Sequence, residues 1–276
     1  MTRHARTRPK PVAPTGIGEI DRLADLDPCR LNDYIRGASA YVRQQSTLST
    51  GAKKASQIRL SNALARALAT ELETRLPNLR GRLATEEKKI AGGLRTANAD
   101  VSESHPLDGV RLAVELKPIN LAVGRAIWNR FGDIRTFAVN IHLKFPFAVV
   151  GGVLVIPTYE ETGTAEAKEA ETEEITEPKE ADMTDVAEAP ITRFGRAPAA
   201  RKSTVHLIQR AIERLVRAGG RRSEAESSHL LEGIAVLVYD PATAAIDSNL
   251  PAAGSGLRWD EFVDALANSY KARFED

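Results

Sequence analysis

Glu115 and Lys117 stand two residues apart at the end of an apolar run, and Asp108 precedes that run at an Asp-Gly turn. Residues i and i+2 of a strand project from the same face, so the carboxylate of Glu115 and the ammonium of Lys117 are expected side by side. Two converging carboxylates repel each other unless a cation joins them, and Mg²⁺ takes one or two carboxylates with water and phosphate oxygens. The three residues therefore predict metal-assisted hydrolysis of a phosphodiester, in which Lys117 positions a water and balances charge.

With Pro106, these residues form a motif on a strand that a helix follows, and it resembles the signature of PD-(D/E)xK nucleases. Within that superfamily, the chain resembles type II restriction endonucleases. The resemblance implies Asp108 and Glu115 as metal ligands and Lys117 as the water-orienting base or charge stabiliser. Leu107, which separates the proline from the acid, departs from the family pattern.

Further acids and a histidine lie close to the motif in sequence. Some of these nucleases take an additional acid from an upstream helix, and Glu86 and Glu87 are candidates for this metal-binding role. The alternative is a solvated helix face, paired with Lys88 and Lys89. His105 is a candidate for contact with phosphate, with capping of the loop as its alternative.

A helix-compatible stretch begins directly behind the strand, with Asn120 at the position of an N-cap. Arginine binds phosphate through two parallel hydrogen bonds, and arginine and asparagine can read guanine and adenine edges. Arg125, Asn129 and Arg130, together with Asn120, are therefore candidate contacts to DNA. Pairing of the arginines with Asp133 is the alternative interpretation.

Charge is segregated along the chain, although the net charge is only +1. Residues 1–157 carry 24 Lys and Arg against 14 Asp and Glu, residues 158–190 carry 2 against 12, and residues 191–276 carry 12 against 11. The basic balance around the motif favours a polyanionic partner, with nucleic acid as the first candidate. An ordinary basic globular domain is the alternative.

The spacing of apolar residues predicts helices around a small sheet. Helices are predicted at residues 18–26, 30–45, 55–76, 84–94, 121–143, 205–217 and 258–274. Strands are predicted at residues 109–117, 147–157 and 233–240, with a polar loop at 98–105. The sequence thus predicts an α/β fold with a helical N-terminal portion and a central mixed β-sheet flanked by helices, the architecture that the restriction-endonuclease resemblance implies.

Composition divides the chain into segments. We expect a flexible basic tail at 1–16, a helical region with the nuclease core at 17–157, a disordered acidic insertion at 158–190, and the C-terminal part of the same domain at 191–276. No apolar run reaches the roughly 18 residues of a membrane span, and the N-terminus lacks the pattern of a signal peptide. The single cysteine fits a reducing, cytoplasmic setting.

Motif and charge together predict a Mg²⁺-dependent type II restriction endonuclease that cleaves double-stranded DNA at a specific sequence. Palindromic sites favour two-fold symmetric readers, so a homodimer is expected. A cognate DNA methyltransferase would belong to the same restriction system, without direct contact. The alternatives are a repair or defence nuclease without strict sequence preference and a non-catalytic DNA-binding protein.

Overall fold

The structure is a computed structural model that describes residues 17–120, 122–162 and 200–275. The expected tail at 1–16 and most of the expected acidic insertion lie outside the described residues. Helices α1 to α6 span Ile17–Arg22, Leu31–Gln44, Thr50–Arg75, Val123–His142, Val205–Leu215 and Trp259–Phe274. Strands β1 to β9 span Lys88–Ala91, Thr96–Ala99, Val101–His105, Gly109–Pro118, Val149–Pro157, Tyr159–Thr162, Ala200–Ser203, Gly233–Asp240 and Ala245–Ile246.

A mixed five-stranded sheet forms the centre of the fold, in the order β3-β4-β5-β8-β9. Strand β3 is antiparallel to β4, whereas β4, β5 and β8 run parallel to one another. Parallel neighbours need a crossover connection, which α4 provides between β4 and β5 and α5 provides between β5 and β8. The predicted α/β class, with a mixed central sheet and flanking helices, is confirmed.

Helices cover both faces of this sheet. On one face Leu112, Val114 and Leu116 of β4 pack into a core shared with α1, α2, α3 and α6. On the other face Ala113 packs into a second core beneath α4 and α5. The inward and outward alternation predicted for β4 is therefore present over residues 112–116, and it fixes which way the chemically interesting side chains of the strand point.

The glycine pair inside β5 allows helices to approach this central strand from both sides. A β-carbon at Gly152 would lie 2.5 Å from Cγ2 of Ile134 in α4, and one at Gly151 would lie 3.0 Å from Cε2 of Phe262 in α6. Every residue of β5 is buried. A strand covered on both faces needs this apolar composition, as the sequence predicts.

Strand β3 occupies the segment that the sequence analysis assigns to a polar loop, so that prediction is wrong. Glu103 is buried in the strand, where its Oε1 accepts a hydrogen bond from Arg82 Nη2 at 2.6 Å and its Oε2 accepts one from the Tyr270 hydroxyl at 3.2 Å. The carboxylate of Glu103 thus has partners inside the fold, whereas the buried hydroxyl of Ser102 has none among the described residues. A β-bulge at Arg111 shifts the pairing of β3 with β4 next to their connecting turn.

Two other predicted elements are corrected. The helix predicted over 84–94 is wrong, because β1 and β2 form an antiparallel hairpin there. Residues 159–162, expected within the acidic insertion, form β6 and pair with β7. Glu160 Oε2 accepts the N–H of Val123 at 2.9 Å, which links this strand to the start of α4.

A buried network of charged groups joins β5, β8 and their neighbouring helices. Glu232 Oε1 lies 2.9 Å from Arg221 Nη1 and 2.8 Å from Arg273 Nη2. Its Oε2 accepts the N–H of Val150 at 2.7 Å and lies 3.3 Å from His142 Nε2. The Glu232 side chain is fully buried, so its charge depends on these partners for compensation.

No helix in the described part of the chain combines the length and the apolar character that a membrane crossing requires.

Candidate active site

The C-terminal end of β4 carries Glu115 and Lys117 on one face, as the strand spacing predicts. Both side chains are largely buried, and Lys117 Nζ forms a salt bridge with Glu115 Oε1. Burial raises the pKa of Glu115 to about 7; the charge and hydrogen bond of Lys117 lower it, and the charges of Asp100 and Asp133 raise it. Two other acids, Asp100 and Asp133, therefore lie close enough to affect the charge of the Glu115 carboxylate.

Asp108 does not share this site, and its prediction as a metal ligand beside Glu115 is wrong. It lies on the turn that precedes β4, so seven residues of extended chain hold it roughly 20 Å or more from Glu115. At that end its Oδ2 accepts a hydrogen bond from Arg111 Nε at 2.7 Å. His105 Nδ1 is 3.5 Å from the same oxygen, so the proposed contact of His105 with the reacting phosphate is also corrected.

Asp100 takes the place that the sequence analysis gave to Asp108. Because β3 pairs antiparallel with β4, with Val101 opposite Val114, the residue just before β3 arrives beside the end of β4. The Asp100 N–H donates to the Val114 carbonyl at 3.0 Å, and its Oδ2 accepts the N–H of Leu116 at 2.6 Å. One carboxylate oxygen is thus fixed to the strand, which leaves Oδ1 for another partner.

The electrostatics of Asp100 resemble those of its neighbour Glu115. Burial raises the pKa of Asp100; the N–H of Leu116 and the charge of Lys117 lower it, and the charge of Glu87 raises it. The charge of Asp100 disfavours the ionised form of Glu115, and a divalent cation near both carboxylates would remove that penalty.

Two open cavities of about 350 Å³ each share Lys117 as a lining residue. The first is also lined by Asp100, Asn120 and Arg130, and the second by Glu115. The long side chain of Lys117 therefore lies between two spaces that are each large enough for a phosphodiester and a small cation. We call the two cavities together the cleft.

Asn120 lines this cleft and has a polar atom without a partner in the described part of the chain. The residue is 7% exposed, and among the described residues its Oδ1 has no hydrogen-bond partner. It is not the N-cap of α4, because Ala122 holds that position with a left-handed backbone at φ 48°. A buried carbonyl oxygen normally has a donor or a cation as partner, so this oxygen is an exception within the described residues.

Glu86 and Glu87 precede β1 and do not lie on a helix, which corrects the element proposed for them. Both are exposed. Asn98 Nδ2 donates to Glu87 Oε1, and the charge of Glu87 acts on Asp100. Of the two, Glu87 is therefore the nearer candidate for a further carboxylate at the site.

Helix α4 presents the predicted DNA contacts beside the cleft. Arg125 and Asn129 are exposed, and Arg130 lines the cleft with Nη1 3.1 Å from Asp133 Oδ2. The pairing that the sequence analysis left open thus exists for Arg130. It is an exposed pair, of the kind that contributes little to stability and exchanges easily for a phosphate.

The donor set fits a hard divalent cation that completes its shell from solvent and substrate. Within residues 17–120, 122–162 and 200–275, no group of three or more His, Cys, Asp and Glu side chains is arranged to hold a metal ion. Mg²⁺ commonly binds through one or two carboxylates and keeps several waters. Asp100 and Glu115 offer such oxygens.

Comparison of the chain with protein-family models, with curated proteins and with solved structures finds no match. The interpretation of the site therefore depends on the chemistry and geometry of its own residues.

Proposed function

We propose that this chain is a Mg²⁺-dependent nuclease that hydrolyses phosphodiester bonds of double-stranded DNA. The observation that carries the proposal is the meeting of Asp100, Glu115 and Lys117 where the antiparallel pair β3 and β4 ends. The arrangement of an acid before one strand, Glu-x-Lys on the next and a helix behind them supports the resemblance to PD-(D/E)xK nucleases.

Each residue has a distinct role in the proposed reaction. Asp100 and Glu115 bind the ion, which supplies positive charge against the charge that develops on the phosphate. The ammonium of Lys117 orients the attacking water and stabilises the negative charge of the transition state.

We propose further that cleavage is sequence-specific, as in a type II restriction endonuclease. Arg125, Asn129 and Arg130 lie on the helix beside the cleft, and their side chains suit phosphate and base edges. A palindromic site calls for a two-fold symmetric homodimer. In such a restriction system, a cognate DNA methyltransferase protects the host sites.

Digestion of supercoiled plasmid with Mg²⁺ tests the proposed function. Wild type is expected to give discrete fragments, whereas a smear indicates a nuclease without sequence preference. Glu115→Gln and Lys117→Met should each slow cutting by about 10²- to 10³-fold or more, because the first removes a charge that would hold the ion and the second removes a charge that stabilises the transition state. Both variants should still bind DNA. Intact plasmid with the wild type in Mg²⁺ and in Mn²⁺, or full activity of either variant, contradicts the assignment.

The affinity of the site for a divalent ion is expected to depend on pH. Because the pKa of Glu115 is about 7 without metal, a proton must leave before the ion binds below that pH. Calorimetric titration with Ca²⁺ or Mg²⁺ should show affinity rising about tenfold per pH unit up to about pH 7 and levelling above it. Glu115→Gln should flatten this dependence, and an affinity independent of pH between 5.5 and 7 in wild type contradicts the prediction.

A further inference from the structure

Two aromatic rings on α4 each lie within cation–π distance of one or more arginines. The Cζ atoms of Arg210 and Arg214, both in α5, lie 5.8 and 4.3 Å from the ring centroid of Trp128. The Cζ atom of Arg135 lies 5.7 Å from the ring centroid of Phe131. We call these five residues the arginine–aromatic seam.

The seam differs from an ordinary solvated row of arginines. Its two rings are partly buried and pack against the core beneath α4 and α5, so they hold the guanidinium groups in place. Arg135, Arg210 and Arg214 are themselves exposed. No carboxylate among the described residues lies within salt-bridge distance of these three arginines. Their charge is thus available to an outside partner.

Stacking prepares an arginine for binding an oxyanion. A guanidinium that lies flat on a ring keeps its N–H groups free at the edge, where they can bind phosphate in a bidentate way. The ring also reduces the number of conformations that the side chain loses on binding. The chemistry of the seam therefore fits a phosphate backbone.

We propose that the arginine–aromatic seam binds the phosphate backbone of the DNA duplex beside the segment that occupies the cleft. The proposal rests on the proposed function for the identity of the polyanion. Arg130, which lines the cleft, lies on α4 between Trp128 and Phe131, so one helix connects both surfaces. From Trp128 to Arg135 the helix advances roughly 10 Å, a length over which duplex DNA presents about six phosphates.

Salt dependence of DNA binding tests the seam without relying on cleavage. In a Glu115→Gln background without divalent ions, a labelled duplex of about 30 base pairs is titrated by fluorescence anisotropy at about 50 to 200 mM salt. Arg210→Gln with Arg214→Gln should reduce the slope of log K against log salt by about two and weaken binding about 10- to 100-fold, since each lost phosphate contact removes about 0.9 from the slope.

A matched control removes the same charge elsewhere. Arg36 and Arg59 are exposed arginines on α2 and α3, and Arg36→Gln with Arg59→Gln should leave the slope unchanged and the affinity within about twofold, because they contact no phosphate. Arg210→Lys with Arg214→Lys retains the charge and should keep most of the slope. Circular dichroism and a thermal melt check that every double variant is folded.

The outcomes separate the seam from the nuclease. If the seam and control variants change the salt slope and the affinity equally, the seam proposal is overturned. This outcome includes the case in which the seam binds an acidic protein segment instead of DNA, and it leaves the proposed nuclease intact. A flatter slope for the seam variant, with kcat at saturating DNA unchanged when Glu115 is restored, supports the seam. Seam-dependent DNA binding by a wild type that never cuts overturns the nuclease and leaves the seam.

Discussion

Asp100→Asn is expected to lower the rate of DNA cleavage by at least about 10³-fold, whereas Asp108→Asn should cut at the wild-type rate. The asparagine at 100 keeps an oxygen that can accept the N–H of Leu116, so β3 and β4 stay in register. It removes the negative charge that we propose binds the cation, and the loss of several kcal/mol of charge stabilisation corresponds to a rate change of this size.

The variant at 108 is the matched control, because it makes the same chemical change at the opposite end of β4. Asp108 is 43% exposed, and its pair with Arg111 contributes at most about 1 kcal/mol to folding. Both variants are compared with wild type in single-turnover cleavage and in calorimetric titration with Ca²⁺. If Asp108→Asn cleaves more slowly than wild type while Asp100→Asn cleaves normally, the acid of the site is Asp108, as predicted from sequence, and the assignment of Asp100 is refuted.

Glu232→Ala is expected to lower the free energy of unfolding by about 3 to 5 kcal/mol and the melting temperature by roughly 10 °C. The substitution leaves the buried groups of Arg221, Arg273 and His142 without their shared anion, and it leaves the N–H of Val150 without an acceptor. Denaturant and thermal unfolding, followed by circular dichroism, measure the loss.

Asp264→Asn is the control for this prediction, because Asp264 is 59% exposed in its pair with Arg75 and its loss should cost about 1 kcal/mol or less. Burial raises the pKa of Glu232, but the hydrogen bond and charge of His142, the N–H of Val150 and the charge of Arg273 outweigh it, and the net pKa is lowered. The contribution of the Glu232 carboxylate to the free energy of unfolding is thus fully present above the ordinary pKa of a glutamate, and it is lost as the pH falls through the lowered pKa. Equal stability of Glu232→Ala and wild type contradicts the prediction.

Features that depend on local spacing could be predicted from the sequence. The apolar row of α3 and the alternation of β4 each repeat with one period, and β5 is a continuous apolar run; the structure has these three elements. Glu115 and Lys117 are adjacent for the same reason, since two residues of one strand suffice to place them together. The local pattern therefore identified Lys117 and Glu115, the basic group and one of the two acids of the candidate site.

The second acid depends on which strands pair and in which register, and no local pattern encodes that. The segment from Asn98 to His105 contains Ser102 and Glu103, and these polar residues concealed the strand. Arg82 and Tyr270, from distant parts of the chain, supply the partners of the Glu103 carboxylate. An acid on a turn looked like the natural partner of Glu115. The turn of a hairpin, however, is the point farthest from the open ends of its strands. An antiparallel reading of 98–105 would have pointed to Asp100.

The irregularity at Arg111 has a consequence for how such a site tolerates change. It absorbs a difference in residue count between the two strands next to their turn, while the ladder near the open ends stays regular. Residues can therefore be gained or lost around the turn without moving the acid before β3 relative to the glutamate on β4. The number of residues between Asp100 and Glu115 can therefore vary. Only the position of the two residues at the same edge of the sheet is constrained.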